Sequence, residues 1–161
     1  MKLDSMEERM AKKWKLLSHS DILRLLFSSI STDSTDKTLS DLLDTDKLVV
    51  CSYVLGKISA GKNVGLRSSQ LRRLYEKLIE IKGFASTGKL SLSTESVLVD
   101  QLKLLKPLLA YAQSRDRTQW TPMFEVINPM IDRVRTKDDF ERFFNFFQAT
   151  LAYHKFCGGR D

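Results

Sequence analysis

His154 and Cys157 stand three residues apart in the run LAYHKFCGG, a spacing that puts an imidazole and a thiol on neighbouring positions of one helix face. Such an H-x-x-C pair can supply two ligands of a zinc site. A structural site needs four, however, and a catalytic one three plus water. Nothing nearby offers the third and fourth. His154 also falls on the apolar side of its helix, where it reads as a hydrogen-bonded core histidine. Cys51 and Cys157 are the only cysteines and sit on apolar helix faces. They read as buried reduced thiols in preference to a disulfide or a metal pair. The other histidine, His19, lies among Ser18, Ser20 and Asp21 and suits a loop or helix cap.

Acid chemistry has two candidates, Asp138-Asp139 and the DLLDTD run ending at Asp46. A general acid–base pair needs two carboxylates held in different environments. These acids fit better as first-turn and surface residues. The glycine loop Gly61 to Gly65 reads GKNVG and lacks the GxxxxGK[ST] spacing of a phosphate cradle. No nucleophile with its base, no metal cluster and no cofactor motif emerges. The sequence therefore points to a binding or structural protein without cofactor, not an enzyme.

Charge is more informative. The net charge is +6, and it is unevenly spread. Residues 1–46 carry nine acids against seven basic residues, whereas residues 47–89 carry nine basic residues against two acids. A contiguous basic third is the footprint of a polyanion-binding surface. A merely solubilising surface would look the same. The candidates in this third are Lys57, Lys62, Arg67, Arg72, Arg73 and Lys77. The last three lie on the outward side of a helix predicted over Ser69 to Lys82, capped by Ser68 and ended by Gly83. That helix could also serve as the recognition helix of a DNA-binding protein, although the loop before it is longer than a helix-turn-helix turn.

The elements that must carry these residues are all helical. Phe140 to Gly159 holds six of the nine phenylalanines, with Phe140, Phe143, Phe144, Phe147, Leu151 and His154 on one face. A helix from about Lys137 to Cys157, capped by Thr136 and stopped by Gly158-Gly159, forms a central pillar. Glu141, Arg142, Asn145, Gln148, His154 and Lys155 interrupt it too often for a membrane span. Before it come helices over Met6 to Leu17, a short one from Ser18 or Ser20 with Leu23, Leu26, Phe27 and Ile30 aligned, and one over Leu39 to Ile58. A longer one capped by Ser93 is kinked or split after Lys106 by Pro107. Another is capped by Thr121, with Pro122 at its first position and a kink or division at Pro129. The fold class is all-α, a compact bundle of about five to six helices around the Phe-rich C-terminal helix. Residues 1–37 form an N-terminal helical arm and polar linker, and residues 38–161 the main domain. The charged Met1 to Met10 does not look like a secretory signal, so a cytoplasmic protein is expected.

Three segments together carry a resemblance. They are Leu66 to Tyr75 (LRSSQLRRLY), Leu105 to Arg115 (LKPLLAYAQSR) and the end of the pillar, LAYHKFCGG. In this order and spacing they resemble the small subunit of the type III-A CRISPR effector, the Csm complex, over about Leu39 to Gly159. The resemblance implies a compact helical subunit with no catalytic activity of its own. Such subunits stack as several copies into a filament beside other subunits of the complex and line the groove that holds guide RNA paired with target RNA. It carries Arg72, Lys106, Arg115 and Lys155 over as RNA-facing residues. Ser114 stands where family members often have glycine. The alternatives left open are a helical protein-interaction adaptor and a sequence-specific helical DNA-binding protein.

Overall fold

Nine helices and no strand make up the described residues, 5–27, 37–86 and 94–161, of the computed structural model. In chain order they are α1 (Met6–Lys13), α2 (His19–Phe27), α3 (Leu39–Leu42), α4 (Thr45–Ala60), α5 (Ser68–Ser86), α6 (Thr94–Lys103), α7 (Leu105–Arg115), α8 (Arg117–Ile131) and α9 (Lys137–Phe156). The bundle is all-α with α9 at its heart, as the phenylalanine spacing predicts. After α1 and α2 come seven segments, one more than the five or six expected, because the predicted Leu39 to Ile58 helix breaks and α3 is a single turn. None of these helices is long and apolar enough to cross a membrane.

α9 starts at a capping box. The Thr136 hydroxyl accepts the Asp139 N–H at 3.1 Å, and the Asp139 carboxylate accepts the Thr136 N–H at 3.1 Å. Asp139 also accepts the N–H groups of Arg135 and Ser40, at 3.0 and 2.9 Å. It is fully buried, not the surface acid the sequence suggested. Burial pushes its pKa up, but the hydrogen bonds from Ser40, Arg135 and Thr136 outweigh it and hold the carboxyl below its usual range. Phe140, Phe143, Phe144, Phe146 and Phe147 are all buried along the helix, each contributing about 1.5–3 kcal/mol. Gly158, at φ 94°, supplies the left-handed stop.

The surprise is a second pillar. α4 packs along α9 more extensively than any other pair of helices. It is apolar nearly all round, with Val50, Cys51, Tyr53, Val54 and Leu55 buried together with Ser52, Gly56 and Ser59. Gly56 is what lets the two helices approach. A Cβ there would lie 2.7 Å from the His154 nitrogen and 2.9 Å from the Thr150 carbonyl oxygen, both backbone atoms. The expected single helix from Leu39 to Ile58 breaks at Leu43, whose φ and ψ of −116° and 79° are not helical. Asp44 then caps α4 by accepting the Lys47 N–H at 2.8 Å. Burial pushes the Cys51 thiol up to about 12, leaving it inert. Cys157 is only partly buried.

Other boundaries also moved. α5 runs through Gly83 to Ser86, since a glycine ends a helix only where the chain turns. The break before α7 falls at Leu104, so Pro107 sits in the first turn, where its missing N–H costs nothing. α8 begins at Arg117 and continues through both Pro122 and Pro129. Thr121 is therefore not the cap; its hydroxyl donates to the Arg117 carbonyl at 2.5 Å. Ser93 lies outside the described residues.

The N-terminal helices do not stand apart. α1 packs on α4, and α2 on α4 and α8. Ala11, Leu16, Ile22 and Leu26 join the same core as the phenylalanines. Leu17, expected beside Met10 and Trp14, is 84% exposed. The apolar residues outweigh the polar stretch Ile30–Asp36 that suggested an arm; that stretch lies outside the described residues.

Candidate nucleic-acid interface

Arg67 and Arg73 meet Arg115, more than forty positions later in the chain, at one groove. Arg67 comes from the residue just before α5, Arg73 from its second turn and Arg115 from the end of α7, while α8 lines the groove with Gln119 and Trp120. The groove encloses about 560 Å³. All three arginines are exposed, and none forms an ion pair among the described residues. Arg115 lies 5.8 Å from the centroid of the Tyr111 ring. Three such guanidiniums concentrate positive potential in a concave surface, where it acts most strongly on an anion.

A buried tie on either side of Arg67 in the chain, through Leu66 and Ser68, fixes its backbone. The loop from Gly61 turns at Gly65, with φ 67°, and the Leu66 N–H donates to the Ser59 carbonyl at 3.0 Å. The His154 Nε2 donates to the Leu66 carbonyl at 2.5 Å, and Nδ1 lies 3.3 Å from the Ser68 hydroxyl. The Ser68 N–H donates to the Arg160 carbonyl at 2.7 Å, and the Gln70 side chain accepts the Arg67 N–H at 3.0 Å. His154 is fully buried, and burial holds its pKa below the ordinary value, with Lys155 adding to the effect and the Leu66 carbonyl opposing it. It is a core histidine, as its place on the phenylalanine face predicts. Among the described residues no three His, Cys, Asp or Glu side chains gather as a metal site.

The other basic candidates lie elsewhere. Lys106 is held by the Asp132 carboxylate. Lys155 pairs with Asp161 at 2.7 Å, Lys77 with Glu80 at 3.4 Å, and Lys57 reaches Glu8 at 3.9 Å. Lys62 is exposed on the loop after α4, and Arg72 is exposed on α5, with its charge acting on Asp161. The sequence reading missed Tyr111, which is 63% exposed beside Leu108 in the groove. Its signal was available. Leu104, Leu108 and Tyr111 follow helical spacing but fall off the face of Leu98, Leu102, Leu105 and Leu109, so they had to point outward.

The model of the Csm2 type III-A family matches residues 43–160. The chain belongs to this family. No curated protein and no solved structure matches it. As a member of the Csm2 family it is a small subunit of the type III-A CRISPR Csm complex, and that family is a structural one. The matched span takes in α4 to α9 and every residue of the arginine groove. The helices α1, α2 and α3 of this Csm2-family chain lie before it.

Proposed function

We propose that this Csm2-family subunit has no catalytic activity and grips the guide RNA–target RNA of its complex through the phosphate backbone. On this reading it works in the cytoplasm, stacked as several copies into a filament beside other subunits. The observation that carries the proposal is the meeting of Arg67, Arg73 and Arg115, none of them ion-paired among the described residues, at one groove. Base pairing to the guide already holds the sequence information, so a protein wall need recognise only the backbone. Guanidiniums suit that task because their planar fork matches phosphate oxygens. Each subunit can bind weakly, since repeated contacts along one strand multiply.

The test is the salt dependence of binding to single-stranded RNA, in the isolated protein and in the assembled complex. If Z phosphates are neutralised, the log–log slope is about −0.7Z. Replacing Arg67, Arg73 and Arg115 by glutamine flattens it by up to about 0.7 for each phosphate no longer neutralised, equally for unrelated sequences. An unchanged slope in both settings, with the variant folded, would move the RNA surface elsewhere. Strong preference of the wild type for one DNA site would favour the DNA-binding alternative instead.

A further inference from the structure

Tyr111 has no structural task that explains it. Its residue is 63% exposed, and its hydroxyl makes no hydrogen bond among the described residues. Among the described residues its ring has one aromatic or cation–π partner, Arg115, at a loose 5.8 Å. A tyrosine left open in this way, on the wall of a groove that also holds Arg67 and Arg73, offers an aromatic face beside phosphate-binding charge. Gln70 and Gln119 line the same groove and bring amide groups able to meet a base edge. Its volume of about 560 Å³ lies within the range of about 300–1,000 Å³ of pockets that enclose a small molecule.

From this combination, and resting on the RNA reading above, we infer that the groove takes one unpaired nucleotide, its base stacked on Tyr111 and its flanking phosphates on Arg67 and Arg73. A duplex cannot use the ring, because its base faces are already covered by their neighbours. Single-stranded RNA is read by splayed bases on aromatic side chains. Arginine contacts alone need no aromatic; a ring beside them adds a demand for a base. The nucleotide can belong to either strand, since stacking is indifferent to which one offers it.

The experiment compares a short oligouridine with an abasic oligomer of the same length and charge, both bound to the full chain at low salt. Stacking one base on an aromatic ring corresponds to about fivefold to a hundredfold in affinity. The wild type should therefore prefer the base-bearing strand by that margin. Tyr111→Leu, which keeps apolar bulk but lacks a π face, should remove the preference and leave the salt slope intact. Tyr111→Trp should restore it. Arg67→Gln with Arg73→Gln should instead weaken both oligomers alike and flatten the slope. A preference that survives Tyr111→Leu overturns the stacking inference while the phosphate reading stands. Wild type that binds neither oligomer at low salt overturns the RNA reading and this inference with it. Circular dichroism of each variant checks the fold, which an exposed position should not disturb.

Discussion

The His154 imidazole donates through Nε2 to the Leu66 carbonyl, tying the end of α9 to the loop that precedes α5. A carbonyl can only accept, so Nε2 carries the proton and Nδ1 is left to accept from Ser68. Gly159 closes against the ring so tightly that a Cβ there would overlap its atoms. His154→Ala should cost about 2–4 kcal/mol, from a cavity plus an unpaired buried carbonyl. Urea unfolding gives the value, and an unchanged midpoint would show that the tie is dispensable.

The same hydrogen-bonded histidine sets a pH dependence. The native imidazole has a pKa below the ordinary 6.5, chiefly because burial disfavours its charged form. As pH falls below about 6.5 the unfolded chain takes up a proton that the native chain resists, so stability drops toward the lower native pKa. Above 6.5 this contribution is complete and flat. Stability measured across that window should fall less steeply in His154→Gln than in the wild type.

Two glycines inside helices should respond with opposite signs to alanine. Helix propensity alone favours alanine by about 0.8–1.0 kcal/mol. At Gly83 nothing among the described residues lies within 4 Å of the added carbon, so Gly83→Ala should stabilise by about 0.4–1 kcal/mol. At Gly56 the added carbon meets backbone atoms of α9 that cannot swing aside. Overpacking of about 1–3 kcal/mol then outweighs propensity, and Gly56→Ala should destabilise. Thermal unfolding of the pair reads both signs, and a neutral Gly56→Ala would mean α4 and α9 can part at little cost.

The N-terminal helices should prove necessary to the fold. Ile22 is fully buried and Leu26 is 2% exposed, both within the main core. Ile22→Ala should lose about 2–5 kcal/mol, and removal of residues 1–27 should abolish cooperative unfolding or lower its midpoint strongly. The polar run before Lys37 points the other way from sequence alone, toward an arm that can be cut off. A truncated chain with a normal melting transition would restore that view.

These outcomes show where local signals suffice. α9 was legible because its cap, its phenylalanine period and its glycine stop all agree within one segment. α8 was misread because Thr121-Pro122 is a good helix start locally, and only the packing of Trp120, Met123 and Val126 extends the helix back to Arg117. Gly56 gave no sign, since what it accommodates is a helix more than ninety positions later in the sequence. The arginine groove was half legible. Counting charge marked the basic third, but a count weighs Lys77, which has a carboxylate partner, the same as Arg73, which has none among the described residues. Arg115 joins Arg67 and Arg73 only through tertiary packing.

That difference makes the basic residues separable by experiment. Lys106, Lys155 and Lys77 each have a carboxylate partner, Asp132, Asp161 and Glu80, at exposed or half-exposed positions. A phosphate must compete with that partner, whereas at Arg67, Arg73 and Arg115 it meets no carboxylate partner among the described residues. Lys106→Gln, Lys155→Gln and Lys77→Gln together should therefore flatten the salt slope for single-stranded RNA much less than the triple arginine variant does. Breaking these pairs should also cost little stability, because exposed ion pairs contribute about 0–1 kcal/mol each. Freeing the lysines is the converse test. Asp132→Asn and Asp161→Asn should steepen the slope, by up to about 0.7 for each lysine that then reaches a phosphate. If the lysine variant instead flattens the slope as much as the arginine variant, the RNA path follows the lysine surface and bypasses the groove.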